Sequence, residues 1–149
     1  MSSKNQIEQF LAAGPIAMAG VSRDPKKFGR IAFEELTRKG LQPVPINPNL
    51  DEINGIPCYK SVSNLPTEIK SLIIMTPKNK TAEVVREAID KGIGNIWIQQ
   101  HSETPEALAL IKNRDLNVIT RQCILMFYHP DGFHKFHRNL KRLFGRLPK

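Results

Sequence analysis

Residues 20–30, GVSRDPKKFGR, have the composition of a phosphate-binding loop. The loop ends where an amphipathic helix is predicted, and the free N–H groups and partial positive charge of a helix N-terminus attract phosphate. Ser22 adds a hydroxyl donor, and Gly20 lets a ligand approach the backbone closely. Four basic side chains add formal charge: Arg23, Lys26, Lys27 and Arg30. The sequence therefore predicts a phosphate site, and the alternative is a solvated loop whose basic side chains only face water.

The second predicted strand ends at Asn47, which is followed by Pro48. A nicotinamide-dinucleotide site usually has the spacing G-x-G-x-x-G, with an acidic residue about 20 residues later that binds the ribose 2'-hydroxyl. Here the glycines are Gly20 and Gly29 and the later residue is an uncharged Asn, so NAD is disfavoured. Asn47 would tolerate a phosphorylated ribose, as in coenzyme A or NADP. The alternative for this Asn-Pro-Asn sequence is a plain turn.

Five short apolar segments alternate with helical patterns along the chain. The predicted strands are 16–20, 42–46, 72–75, 94–98 and 116–119. Helices are predicted for a short segment ending near Gly14, for 28–36, for 83–91 and after Thr104, whereas 53–69 reads as irregular with one short helix. Strands without polar alternation, separated by helices, are typical of a parallel sheet covered on both faces. We therefore predict an α/β fold with a doubly wound parallel sheet.

Ligands of such a sheet bind beyond the carboxyl ends of the strands, where the strand order reverses. Besides the first loop and Asn47-Pro48, this rule nominates residues after the other three strands. They are Thr76 and Pro77, Gln99 and Gln100, and residues 121–123.

Several of these segments together resemble a known family. IAMAGVSRDPKKFGR, PVPINP at 43–48, IPCY, and IWIQ at 96–99 are similar to the small CoA-binding proteins related to the CoA-binding domain of the succinyl-CoA synthetase alpha subunit. The resemblance covers roughly residues 14–123 and implies a Rossmann-like fold that binds coenzyme A.

The resemblance also implies where each part of CoA binds. The pyrophosphate would lie at Gly20, Val21, Ser22 and Arg23 and at the helix that begins near Phe28. The adenosine end would lie near Asn47 and Pro48, with further contacts from Thr76, Pro77, Ile98 and Gln99. Ligase chemistry is not carried over, because the synthetase subunit has a second domain with a phosphorylated histidine for which this sequence has no residues.

No catalytic residue and no metal site are predicted. His101 follows a strand end, but no carboxylate can be assigned to orient it, so an exposed loop histidine is expected. Cys123 lies on the ligand side, where a CoA thiol could reach it, although free cysteines are more often small buried core residues. The predicted function is CoA or acyl-CoA binding by a non-catalytic binding or regulatory module. The first alternative is an NADP-dependent oxidoreductase-like Rossmann protein.

Composition bounds the class of protein. The 149 residues suit one domain, predicted here as 1–128, followed by a basic extension, 129–149. Two cysteines are too few for a disulfide scaffold, so a reducing cytoplasm is expected. No secretory signal is recognised in the first residues, and no apolar run is long enough to span a bilayer, so integral membrane association is not expected.

The extension carries much of the excess charge. Of the net charge of +8, residues 129–149 contribute six Lys or Arg against one Asp. Its apolar residues fall on one helical stripe: Phe133, Phe136, Leu140, Leu143 and Phe144. This pattern predicts a basic amphipathic C-terminal helix that packs on its own domain or closes a homodimer. Binding to nucleic acid or an anionic membrane surface is the remaining alternative, and nucleic acid is not the expected partner.

Overall fold

The computed structural model of the chain describes residues 3–128. In chain order the elements are α1 (Lys4–Ala12), β1 (Ile16–Ala19), α2 (Phe28–Arg38), β2 (Val44–Ile46), β3 (Glu52–Ile53), β4 (Ile56–Pro57), β5 (Ser71–Ile74), α3 (Lys78–Lys91), β6 (Asn95–Gln99), α4 (Pro105–Ile111) and β7 (Asn117–Gln122). Two 3-10 turns, Val62–Asn64 and Ile124–Met126, complete the secondary structure of these residues. The C-terminal helix predicted for 129–149 lies outside the described residues.

Five strands form one parallel sheet in the order β2-β1-β5-β6-β7. From β1 the chain moves outward to β2 and then returns to β5 on the other side of β1. The strand order therefore reverses between β1 and β5, and a ligand crevice is expected at their carboxyl ends. The prediction of a Rossmann-like, doubly wound α/β fold is confirmed.

Both faces of the sheet are covered, as its continuously buried central strands require. On one face α1 and α2 contribute Phe10, Phe33 and Leu36 to a core that includes Trp97, whose ring meets the Phe10 ring edge-on at a centroid distance of 5.4 Å. On the other face the core includes Val85 of α3. The described residues contain no helix of the length and apolarity that crossing a membrane requires.

Most element boundaries follow local sequence signals, and three predictions need correction. Thr104 caps α4 as predicted, since its side chain accepts a hydrogen bond from the Ala107 N–H. The second strand begins at Val44 and not at residue 42, because Gln42 has a φ of 54° and Pro43 cannot donate to a neighbouring strand. The third helix begins five residues earlier than predicted, at Lys78. Residues 53–69, predicted as irregular with one short helix, also contain part of a small antiparallel pair of strands, β3 and β4, which precedes the first 3-10 turn.

Candidate functional site

A groove with a volume of about 730 Å3 opens at the carboxyl ends of β1, β2 and β5. Its walls come from four parts of the chain. They are the loop after β1 with the start of α2 (Gly20, Val21, Ser22, Lys27, Phe28, Gly29), the end of β2 with the segments after β2 and β4 (Ile46, Asn47, Pro48, Asn49, Lys60, Ser61, Val62), the end of β1 with the segment after β5 (Ala19, Met75, Thr76, Pro77), and α3 (Lys80, Glu83, Val84, Glu87). The groove thus lies at the point where the strand order reverses.

Two glycines bring the loop after β1 against the groove floor. Gly20 has a φ of 91°, and a Cβ there would lie 2.5 Å from the backbone C and O atoms of Met75 and 2.8 Å from the Thr76 N. A Cβ at Gly29 would overlap the carbonyl oxygen of Gly20. Both positions need glycine because backbone fills the space where a side chain would begin. The close packing fixes the first turn of α2 directly above the ends of β1 and β5.

Two helices begin at the groove without a side-chain cap. The N-cap residue of α2 is Lys27 and that of α3 is Pro77, and neither side chain bonds to its helix. Free N–H groups at a helix N-terminus carry partial positive charge and bind phosphate. Ser22 Oγ already accepts a hydrogen bond from the Asp24 N–H at 3.0 Å, so its hydroxyl proton is available to an anion. These groups are hydrogen-bond donors of the kind that can bind an anion.

Lysines surround the same site. Lys27, Lys60 and Lys80 line the groove, and Lys60 Nζ donates to the Leu50 carbonyl and to Asp51 Oδ1, each at 2.8 Å. This hydrogen bond, and then the charge of Lys60, hold the pKa of Asp51 below its usual range. Lys60 is therefore held at the groove by its ion pair with Asp51 and its bond to the Leu50 carbonyl.

Asn47 ties the loops after β1 and β2 together. Its Nδ2 donates to the Val21 carbonyl at 2.7 Å, and its Oδ1 accepts from the Asn49 N–H at 2.7 Å. The second bond forms the turn that the Asn-Pro-Asn sequence predicts. A carboxylate at position 47 could not donate to Val21, so the acidic residue that binds a dinucleotide ribose is incompatible with this arrangement.

We expect Asn47→Asp to destabilise the protein by about 1–3 kcal/mol, because the Val21 carbonyl loses its donor and faces a negative charge. Thermal unfolding at neutral pH measures the change. Asn49→Asp is the matched control, since it places the same charge two residues away on an exposed side chain. Equal melting temperatures for the two variants would contradict the role assigned to the Asn47 amide.

Comparison with known families agrees with this geometry. A model described as the CoA binding domain matches residues 15–129, which is most of the chain and includes every residue of the groove. The chain belongs to the CoA-binding domain family. The resemblance expected from the glycine loop and the Asn-Pro segment is confirmed.

Relatives of this CoA-binding domain include ligases. The alpha subunit of an ADP-forming acetate–CoA ligase II from Pyrococcus furiosus is 27% identical over 154 residues, covering 96% of this chain and 32% of the subunit. An ADP-forming acetate–CoA ligase from Methanocaldococcus jannaschii is 35% identical over 140 residues, covering 89% of this chain and 19% of the ligase. The chain thus spans about a third and about a fifth of these relatives.

A solved structure shows the same domain at nearly full length. The conserved hypothetical protein from Pyrococcus furiosus has a TM-score of 0.71 and 32% identity, and the similarity covers 74% of this chain and 96% of that chain. The fold of this chain therefore accounts for nearly all of that solved chain, whereas it matches only part of each ligase.

Nine of the thirteen residues predicted for the CoA site line the groove of this CoA-binding domain. They are Gly20, Val21, Ser22, Lys27, Phe28, Asn47, Pro48, Thr76 and Pro77. Arg23, Arg30, Ile98 and Gln99 lie outside its lining. Ile98 is fully buried, and Gln99 uses its Oε1 to accept a hydrogen bond from the Ile124 N–H at 3.1 Å.

Arg30 holds the loop after β1 in place through hydrogen bonds to its backbone. Its Nε bonds to Glu34 Oε1 at 2.7 Å, its two terminal nitrogens donate to the Ser22 and Arg23 carbonyls and to Asn54 Oδ1, and its side chain is only 15% exposed. The hydrogen bond from Arg30, and then that from Asn54, hold the pKa of Glu34 below its usual range. The pair therefore persists at neutral pH and is lost only in acid, as the pH falls through that lowered pKa.

The groove also contains residues that the sequence did not nominate, on α3 and at 60–62. Lys80, Glu83 and Glu87 follow one another at spacings of three and four along α3, a pattern that places them on one helical face. That pattern shows a shared polar face. The spacing does not show that this face borders a groove, because the opposite wall, residues 60–62, lies about 20 residues away in the sequence.

The two cysteines and His101 are not among the residues that line the groove. Burial raises the pKa of the Cys58 thiol, which keeps it protonated at neutral pH. Cys123 is buried in the core beside α1 and α2, and His101 is exposed on the loop after β6. Within the described part of the chain, no group of three or more His, Cys, Asp or Glu could hold a metal ion.

Proposed function

We propose that the groove binds coenzyme A or an acyl-CoA. The observation that carries this proposal is the coincidence of the uncapped starts of α2 and α3, the Gly20 loop and three lysines in one groove of a domain of the CoA-binding family. The pyrophosphate meets the N–H groups and the Ser22 hydroxyl. The lysines neutralise the remaining phosphate charge.

The apolar parts of the groove fit the rest of the ligand. Phe28 is 46% exposed at the start of α2, which is high for a phenylalanine and is explained by a ligand that covers the ring. Ile46, Val62 and Val84 are further apolar residues of the groove lining. A long ligand with a charged centre and less polar ends uses both kinds of surface.

The role that we propose is binding or regulation. Among its described residues the groove lining holds no histidine, cysteine or tyrosine, and its charged groups are three lysines and two glutamates of α3. The ligase reaction of the longer relatives is not part of the proposal. The cytoplasm is the proposed location, because CoA and its thioesters are intracellular ligands.

Calorimetric titration tests the ligand class. We expect CoA to bind at least tenfold more tightly than NAD, because CoA brings three phosphates to the lysines and Asn47 cannot serve a ribose diol as a carboxylate does. Titrations with NADP and acetyl-CoA accompany the pair, and native mass spectrometry of the purified protein shows any retained nucleotide. NAD or NADP binding as tightly as CoA would refute the assignment.

A further inference from the structure

The β3–β4 hairpin is not part of the groove lining, but its tip is bonded to the start of α2. Asn54 and Gly55 form the two-residue turn, with φ values of 52° and 80°. Positive φ at both residues is what such a hairpin turn requires, and Asn-Gly is the sequence that favours it. Ile53, just before the turn, is only 3% exposed in the core to which α2 contributes Phe33. The hairpin is therefore fixed against α2, with its tip at the surface.

Asn54 forms two hydrogen bonds to side chains of α2. Its Oδ1 accepts from Arg30 Nη2 at 3.1 Å, and its Nδ2 donates to Glu34 Oε1 at 3.4 Å. Glu34 Oε1 also accepts from Arg30 Nε at 2.7 Å. An amide has one acceptor and one donor group, so it serves the cation and the anion of this pair together. Because the guanidinium is planar, bonds at two of its edges fix the direction of the third.

That third edge of the guanidinium faces the groove loop. Arg30 Nη1 donates to the Ser22 carbonyl at 3.3 Å and to the Arg23 carbonyl at 3.2 Å. Ser22 is a residue of the groove lining. Glu34 lies on the same helix as Arg30, so Asn54 supplies the contact that ties Arg30 to a separate element of the fold. The tip of the hairpin is thus connected to the groove through one intervening side chain.

We propose that the β3–β4 hairpin fixes the position of the loop after β1 and that Asn54 is the positioning residue through which it does so. The inference rests on the proposed function, since Ser22 transmits the effect to the ligand. The base of the same hairpin is bonded to the opposite wall of the groove, because Asp51 before β3 pairs with Lys60 after β4 at 2.8 Å. The hairpin therefore connects the two walls from outside the groove.

Calorimetric titration of the full chain with CoA tests the role of Asn54. Asn54→Gly removes both hydrogen bonds, and glycine adopts positive φ freely, so the turn itself is kept. We expect CoA to bind about three- to tenfold more weakly, because part of the binding energy is then spent on ordering the loop. Asn113→Gly is the matched control. Asn113 is also exposed, has a φ of 63° and lies outside the groove lining, so its replacement should leave affinity unchanged.

Two double variants show whether Asn54 acts through the α2 ion pair. Arg30→Ala combined with Asn54→Gly should bind CoA no more weakly than Arg30→Ala alone, because the second change has nothing left to remove. Asn54→Asp places a second carboxylate beside Glu34 and should weaken binding. Adding Glu34→Gln exchanges the amide and the carboxylate between the two positions, which restores a donor and an acceptor to each bond and should recover most of the affinity.

A measurement without ligand completes the test. In the ligand-free protein, Asn54→Gly should shift the backbone amide NMR signals of Ser22 and Arg23, whereas Asn113→Gly should not, and thermal unfolding confirms that both variants fold. Unchanged CoA affinity in Asn54→Gly, an equal loss in Asn113→Gly, additive losses with Arg30→Ala, or no recovery on adding Glu34→Gln would each overturn the positioning role. Failure of the unaltered protein to bind CoA is a different result. It refutes the proposed function, and the amide signals then still decide whether the hairpin controls the loop.

Discussion

Gly20→Ala is expected to destabilise the domain by about 4 kcal/mol or more, a large part of the 5–15 kcal/mol that folds a typical protein. Two costs combine at this position. The φ of 91° is unfavourable for any residue with a Cβ, and the added carbon would meet backbone atoms of Met75 and Thr76 at 2.5–2.8 Å. The backbone at the carboxyl end of a central strand cannot move aside as a flexible side chain can.

Gly40→Ala separates these two costs. Gly40 has nearly the same φ, 94°, but a Cβ there meets nothing within 4 Å, so this variant should lose only about 1 kcal/mol. Thermal unfolding measures both, at roughly 3–5 °C per kcal/mol in a domain of this size. If the two variants melt within a few degrees of each other, the close approach of the Gly20 loop to β5 is wrong.

The sheet was predictable because its signals are local. Runs such as residues 72–75 are apolar without alternation, which indicates strands buried on both faces. The intervening helices have apolar stripes visible in the sequence, and α4 also has a visible cap at Thr104. The errors arose where tertiary contacts decide. Helix α3 begins at Lys78 among polar residues, and its first turn has no apolar stripe to mark it.

Half of the groove could be predicted, for a similar reason. The carboxyl ends of the strands share one edge of a parallel sheet, so Ser22, Asn47 and Thr76 converge whatever the details of packing. The wall formed by residues 60–62 and α3 depends on how a 3-10 turn packs on a helix, and no short-range pattern encodes that contact.

Arg30 shows the limit of reading charge from sequence. A basic residue in a predicted phosphate-binding loop suggests a contact with phosphate. The sequence cannot show that the guanidinium is already hydrogen-bonded to other residues of the protein. Glu34 at the i+4 position was a visible signal of an ion pair within the helix. The Asn54 contact was not visible, because it joins residues 24 positions apart.

Arg30→Ala should therefore weaken CoA binding about ten- to a hundredfold by releasing the loop, although Arg30 lies outside the groove lining. The Ser22 and Arg23 carbonyls lose their donor, and the Ser22 hydroxyl is no longer held at the start of α2. Titration with CoA and with dephospho-CoA measures the effect. We expect equal fold losses for the two ligands, because a mobile loop affects the pyrophosphate that both contain.

Two further variants test whether Arg30 holds the loop after β1 in place or binds a phosphate of the ligand. Arg30→Lys keeps the positive charge but cannot reach Glu34, Asn54 and two carbonyls together, so it should bind CoA nearly as weakly as Arg30→Ala does. Arg38→Ala, which removes an exposed arginine paired with Glu35 on the same helix, should leave affinity unchanged. Normal CoA binding by Arg30→Lys would contradict this role. So would an Arg30→Ala variant that loses much more affinity for CoA than for dephospho-CoA. Either result would mean that the side chain at position 30 contacts the 3'-phosphate and does not act by holding the loop.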